Sequence, residues 1–488
     1  MENQDKKPNI IAIIGAIVLL VLAVVGLSYA FFSAFIKNGE TDPSIEGTGA
    51  NLSLVYTDGK SVITSSNIMP GWSATKTFTV TNNGEADTYY KLNISNITNE
   101  FVDGGLTFSI ASADGGTSVA EQAVGTTTRT ISPSITIAEG ATHTYTVTAK
   151  YINLNTDQTP DLGKSFSYTI GIEASQKPTF KDIILANNEV KTPITTPGAA
   201  VSTSNEALLA SAEDDYGTSY YFRGAVTNNY VEFANKCWRI VRIGGDNTVK
   251  LILHNDNISN ASNPCSSANN STTAAFVHYD GNIYKSGFNS NYNDNAYVGF
   301  MYGTPGSTTY EATHANTNKS TILTNLETWY NNNLKTYESV IDNNVFCNDK
   351  SLSSGSGYSA NATDYAARER LYTSKIPSLK CNGELSKITS KIGLITADEL
   401  AFAGYAVRGY ITTSYLKENA TGYSWWSLSP AGFYNKSLSY VFRVRSDNDA
   451  IDICNVNVDS SVRPVISLVS SITISGVSGT SEDPYVVK

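Results

Sequence analysis

The chain has 488 residues, a formal net charge of −10, only 16% charged residues and 29 tyrosines. That length allows about two to four domains. An acidic balance with no basic run excludes a nucleic-acid binder. Abundant neutral polar and aromatic residues fit a β-rich extracellular protein better than a helical cytosolic one.

Residues 1–8 read as a short cytoplasmic tail and residues 9–36, "NIIAIIGAIVLLVLAVVGLSYAFFSAFI", as a transmembrane helix or signal anchor. A spanning helix needs about 20 apolar residues and a signal-peptide core only about 7–15. This run carries no charge between Lys7 and Lys37, so it is long enough to stay as an anchor. Lys6 and Lys7 predict a single-pass protein with its N-terminus inside and its bulk outside. Ser28-Tyr29-Ala30 is also a small-x-small triplet of the kind signal peptidase cleaves, so a secreted product beginning at Phe31 is the alternative.

From 48 to 175, apolar residues alternate with polar ones between short turns. "ATKTFTVTNNGEADTYYKLNI" reads as strand, Asn-Asn-Gly turn, strand; "LTFSIAS", "TRTISPSITIAEGATHTYTVTAKYI" and "SFSYTIGIEAS" continue the series. The prediction is an all-β sandwich of immunoglobulin-like type. His143 falls within an alternating strand and is read as structural. Residues 10–175 resemble the exported biofilm-matrix fibre proteins of the TasA and camelysin type. The resemblance rests on "SYAFFSAF" after the apolar run and on "IMPGWSATKTFTVTNNGEADTYYKLNI". It implies export, cleavage and homo-polymerisation through the sandwich. Camelysin is classed with metallopeptidases, but this chain has no HExxH pair to hold a zinc-bound water, so protease activity does not carry over.

Residues 176–215 mix Pro, Thr, Ser and charge without sustained period, and "KTPITTPGAAVSTSN" within them reads as a linker. Residues 216–488 form the third segment, predicted α+β. "YYFRGAVTNNYVEFANKCWRIVRIGGDNTVKLIL" reads as strands joined by Asn-Asn and Gly-Gly-Asp-Asn turns. "STILTNLETWYNNNLKTYESVI" places Ile322, Leu326, Trp329, Tyr330, Leu334 and Tyr337 near one helical face, with Ser320 as cap. In "LITADELAFAGY", Thr396 and Glu399 form a capping box and Gly404 ends the helix. The five cysteines all lie here, without zinc-ligand spacing. Two bridges are expected, Cys237–Cys265 and Cys347–Cys381, leaving Cys454 over; five reduced thiols are the alternative.

The order "GLITADELAFAG", "YSWWSLSP", "YVFRVRS", "VRPVISL" resembles an uncharacterised bacterial surface-domain family marked by WWxxSP and a following Arg-Pro strand. In skeleton only, it is similar to the formylglycine-generating-enzyme variant of the C-type-lectin fold. Leu394 to Leu400, Trp425 to Pro430 and Val462 to Val465 stand at that skeleton's helix start, tryptophan strand and closing strand. Trp425, Trp426, Pro430, Arg463 and Pro464 are the fold-marking residues. That enzyme's copper-binding cysteine pair has no counterpart, because Cys454 is alone in its strand region. The Glu-Pro-Asn and Trp-Asn-Asp motifs of calcium-dependent lectins do not occur. The resemblance therefore carries a scaffold for non-covalent recognition, with no catalytic residue and no cofactor.

One of Trp425 and Trp426 is expected in the core and the other partly exposed on the opposite face. Arg463 is expected to hold the fold. The residues read as ligand contacts are Tyr434, Asn435, Tyr440, Arg443, Arg445, Asp447, Asn448 and Asp449, since tyrosine offers rigid contact area and amides adaptable hydrogen bonds. "NSNYNDNAYVGF" fails as a calcium loop, because Asp294 replaces the required glycine and Phe300 the bidentate glutamate. His254, His278 and His314 lack ligand spacing, and no GxSxG elbow or P-loop is present. The expected protein is a membrane-tethered surface adhesin or receptor that binds an extracellular glycan or protein and no nucleic acid. A released matrix fibre subunit is the first alternative, and an enzyme on the same scaffold the second.

Overall fold

The computed structural model describes residues 54–58, 68–84, 87–175, 178–201, 205–408, 413–472, 474–475 and 478–487. The tail at 1–8 and the anchor at 9–36 lie outside them, and no helix among the described residues is long and apolar enough to cross a membrane. The chain divides into two compact units, 1–178 and 179–488.

The first unit is a β-sandwich. Its strands are β1 (Leu54–Asp58), β2 (Trp72–Asn82), β3 (Thr88–Asn99), β4 (Leu106–Ser112), β5 (Val119–Ala123), β6 (Arg129–Thr130), β7 (Ile135–Ile137), β8 (Thr142–Tyr151) and β9 (Phe166–Ser175). One antiparallel sheet runs β1-β2-β8-β4-β5; in the other, β3 pairs β9 on one edge and β6 and β7 on the opposite edge. Alternation points Phe78 and Val80 of β2, Tyr90, Leu92 and Ile94 of β3, and Tyr145, Val147 and Tyr151 of β8 into the core. His143 is structural, as its strand position suggested. The Tyr90 hydroxyl sits 2.8 Å from His143 Nδ1 and 2.6 Å from the Tyr145 hydroxyl, satisfying all three buried side chains.

The second unit holds an eight-stranded and a seven-stranded sheet around one core. The four strands expected here form as Gly217–Gly224, Tyr230–Phe233, Lys236–Ile243 and Val249–Asn255. The Gly-Gly-Asp-Asn turn closes a hairpin between the last two, whereas Asn228-Asn229 does not, because Gly217–Gly224 pairs with Lys236–Ile243 and Tyr230–Phe233 turns back on that same strand. The helix Thr321–Asn333 starts where Ser320 Oγ accepts from Leu323 N, and buries Ile322, Leu326, Trp329 and Tyr330. Leu334 is buried too, but Tyr337 is exposed, because the helix ends at Asn333 and a 3-10 turn re-aims it. The helix Ala397–Phe402 carries both halves of its capping box, and Gly404 follows it at φ +111°. Cys237–Cys265 and Cys347–Cys381 are bridged, and Cys454 is free and buried.

Two expectations are corrected. Both tryptophans are buried, since the strand Trp425–Tyr434 is covered on both faces. Trp425 lies 5.1 Å from the Arg463 guanidinium, and Trp426 donates its indole N–H to Ser286 O at 2.7 Å beside Phe288. Residues 179–215, read as linker, belong to the second unit. The helix Phe180–Asn187 begins at a Thr179–Asp182 capping box and buries Phe180 and Ile184, while Ala207–Asp214 pairs along its length with Gly217–Gly224. A fragment starting at Thr179 is therefore expected to fold and one starting at Tyr216 to fail, read by circular dichroism. Phe180→Ala in the full chain is expected to cost about 3–5 kcal/mol in urea unfolding.

Candidate functional site

The structure separates the residues read as ligand contacts into two groups. Tyr434, Asn435 and Tyr440 flank the hairpin turn between Trp425–Tyr434 and Leu438–Val444. Tyr434 donates to Asp364 Oδ1 at 2.7 Å and its ring lies 5.3 Å from Tyr440, while Asn435 occupies the turn at φ +54°. The Arg368 guanidinium sits over both Tyr434 and Tyr372, and Arg408 sits over Tyr372, giving a stacked Arg–Tyr face that sequence spacing did not reveal. Arg443, Arg445, Asp447, Asn448 and Asp449 lie at the far end of the hairpin. There Arg445 pairs with Asp447 and Asp452, Asn448 Oδ1 accepts from Ala450 N, Asp449 pairs with Lys417, and Arg443 donates to Ser460 Oγ at 3.4 Å. These contacts build the turn.

The fold-marking residues are internal. Register shifts on either side of Pro430 kink its strand, Pro464 O accepts from Leu253 N, and Arg463 is wholly buried. Both carboxylate oxygens of Asp294 accept backbone N–H groups, from Ala296 and Gly306. Among the described residues, no group of three or more His, Cys, Asp or Glu is placed to hold a metal ion.

Two depressions mark the second unit. One is a cleft walled by buried ion pairs: Arg242 with Asp214 and Glu399, Lys250 with Glu399, and Arg370 with Asp349 and Asp398, at 2.6–2.9 Å. Its space of about 40 Å³ suits a few waters, not a sugar ring. Burial opposes ionisation of Glu399, but Lys250 and Arg242 over-compensate and hold its carboxyl at about 2.

The other is an open groove of about 480 Å³ formed by residues 225–227, 270–272 and 413–421. Its walls mix hydroxyls and amides, among them Thr227, Asn270, Thr272 and Thr421, with Ala225, Val226 and Lys417. Glu418 stands in it with 40% of its side chain exposed. Its Oε2 accepts from Tyr230 Oη (2.8 Å) and Arg239 Nη1 (2.9 Å), and its Oε1 from Asn270 Nδ2 (2.8 Å). Beneath it, Arg239 is fully buried, 3.7 Å from the Tyr230 ring, and donates also to Asn229 Oδ1 and Val226 O. Burial pushes the Tyr230 phenol up to about 12, keeping it a donor, while burial and then Arg239 and Arg463 hold His254 well below the usual histidine range and therefore neutral. Asn419, at φ +61°, donates to His254 O and Asn270 Oδ1 and fixes the turn that presents Glu418. The result is a carboxylate acceptor, oriented from below and open to solvent above.

Sequence reasoning passed over this groove. The available signal was Arg239 in the apolar strand "CWRIVRI", since a buried arginine demands an acid elsewhere. No protein-family model matches the chain, and no curated protein is detectably similar to it in sequence.

For the cleft, the folded-state carboxyl of Glu399 lies below its unfolded value, so its stabilisation is full above about pH 4.5 and lost as pH falls towards 2. Glu399→Gln is expected to cost about 3–5 kcal/mol at neutral pH, by leaving Lys250 and Arg242 short of a partner, and to flatten the acid limb in urea melts from pH 5 to 2.

Proposed function

We propose that this is an exported surface protein, held in the cell membrane by residues 9–36, whose C-terminal unit binds an extracellular glycan or protein without covalent chemistry. The observation that carries the reading is Glu418, a half-exposed carboxylate braced by a buried arginine and tyrosine inside an open hydroxyl- and amide-lined groove. Glu418 serves Arg239 as its counter-charge and still presents an exposed edge to the groove. Two disulfides support an oxidising compartment. The antiparallel pairing of the sandwich supports an immunoglobulin-like stalk. For the C-type-lectin-like reading, the support is contact among the three landmarks. Gly393 pairs with Val465, Leu428 N donates to Ile395 O, and Arg463 stacks on Trp425.

Binding is tested by screening the full chain against soluble oligosaccharides and extracellular-matrix proteins, then repeating every hit with variants. Glu418→Gln with Asn270→Ala is expected to weaken binding more than tenfold, since hydrogen bonds to charged groups contribute about 1.5–3 kcal/mol each. A Tyr434→Ala/Tyr440→Ala variant is expected to bind as the parent does; loss there, with the groove variant unaffected, moves the site to the Arg–Tyr face. The tether is tested by the intact mass of the mature protein from membrane and from medium. A membrane species retaining Met1 is expected, and a species starting at Phe31 in polymers would replace the receptor with a fibre subunit.

A further inference from the structure

Asn270, Asn419 and Lys417 line the groove but are engaged by the protein itself. Asn270 gives its Nδ2 to Glu418, and its Oδ1 accepts from Asn419, whose amide also reaches His254 O. Lys417, the lining cation, pairs with Asp449 at 2.9 Å. The backbone is engaged too: Ala225 N donates to Glu206 O, Tyr415 N to Gly224 O and Thr421 N to Thr272 O. What stays open is the exposed edge of Glu418, whose Oε1 accepts only from Asn270, and the exposed hydroxyls of Thr227, Ser271 and Thr272. None of those three hydroxyls has a partner among the described residues.

These open groups restrict the ligand. An anion would meet a carboxylate with no uncommitted lining cation to offset it. An ammonium gains little, because Arg239 already supplies the counter-charge of Glu418 at 2.9 Å. The fitting donor is therefore neutral. Arg239 donates Nη1 to Glu418 Oε2 and Nη2 to Val226 O, so one planar fork sets the carboxylate beside residues 225–227. That segment brings the half-buried Ala225 and the open hydroxyl of Thr227 to the same groove. An acceptor, an apolar contact and a hydroxyl donor match the N–H, methyl and C=O of an acetamido group. A plain hydroxyl in its place would leave Ala225 facing water. An extended peptide also carries amides, but it docks through a row of open backbone partners, and the backbone groups named above are already bonded.

Resting on the groove reading above, we propose that the ligand is a neutral glycan carrying N-acetylated amino sugars. The acetamido N–H donates to Glu418 Oε1, its carbonyl accepts from Thr227, its methyl packs on Ala225, and ring hydroxyls meet Ser271 and Thr272.

The full chain is titrated calorimetrically with three tetrasaccharides of identical linkage, built from N-acetylglucosamine, from glucose and from glucosamine. The N-acetylated oligomer is expected to bind at least about tenfold tighter than either, the combined effect of one hydrogen bond to a carboxylate and one buried methyl. Glu418→Gln with Asn270→Ala is expected to remove that binding, and Ala225→Ser to cut the preference over glucose several-fold. Equal binding of the three sugars, lost together in the Glu418→Gln/Asn270→Ala variant, overturns the acetamido assignment and leaves the groove standing. A preference that Ala225→Ser leaves intact overturns it too, as does a matrix protein that binds through Glu418 when none of the sugars does. Sugar binding that the Glu418→Gln/Asn270→Ala variant retains in full overturns the groove reading itself.

Discussion

Buried cations that donate to backbone carbonyls hold the second unit together. Arg223 is fully buried and ties Glu206, Thr195 and the carbonyls of Ala199, Ala401 and Phe402 to one strand. Arg239 and Arg463 do the same for Val226, Leu253 and Leu416, and the Lys350 ammonium donates to Met301 O, His314 O and Asn316 Oδ1. Loop carbonyls in the interior lack ladder partners, and an unpartnered one costs about as much as a lost hydrogen bond. A guanidinium offers five donors in a fixed fork and can therefore order several loop segments at once. The sandwich relies on it less: its strands satisfy one another, and its buried polar groups include neutral ones such as Asn82, which donates to Ile137 O and Ala138 O, and the His143–Tyr90–Tyr145 chain.

The same device shapes the groove. Its walls are short irregular segments, which would be mobile if tethered only at their ends. Arg239 and Tyr230 instead grip Glu418 from a strand, Arg463 holds Leu416, and Asn419 ties the turn to His254 and Asn270. The irregular backbone gives the groove its shape, and the buried side chains make it a pre-formed surface.

Local signals in the sequence were reliable where the chain's structure is local. Period-two alternation located the sandwich strands, capping residues located the helices at Ser320 and Thr396, and nearest-neighbour pairing matched both disulfides. The failures share one cause. Residues 191–201 are irregular, as their composition says, but Arg223, 24 positions from Ala199, holds the Ala199 carbonyl, and a Val201 N–H to Gly404 O bond ties them to a segment about two hundred positions away. Glu418 was missed for the same reason: its importance comes from Tyr230 and Arg239, distant in sequence, and nothing adjacent to it announces them. Tyr434 and Tyr440 come together across one hairpin, whereas the Arg368 and Tyr372 that complete the face come from a separate segment.

The groove's chemistry also sets the strength of binding it can supply. Its one aromatic lining residue, Tyr415, is buried, so a ligand finds hydrogen-bonding groups and no stacking platform among the described residues. Each hydrogen bond exchanged with water nets only about 0.5–1.5 kcal/mol, and association itself costs several kcal/mol. A single groove of this kind therefore reaches modest affinity however well its donors and acceptors match. Display of many copies changes the arithmetic, since linking two weak contacts raises avidity by about 10²–10⁴ without any new contact. A repetitive extracellular polymer suits such a groove better than a rare soluble ligand does, and residues 9–36 supply the display if they stay in the membrane. On the proposed reading, cleavage after Ala30 without polymerisation would remove that gain.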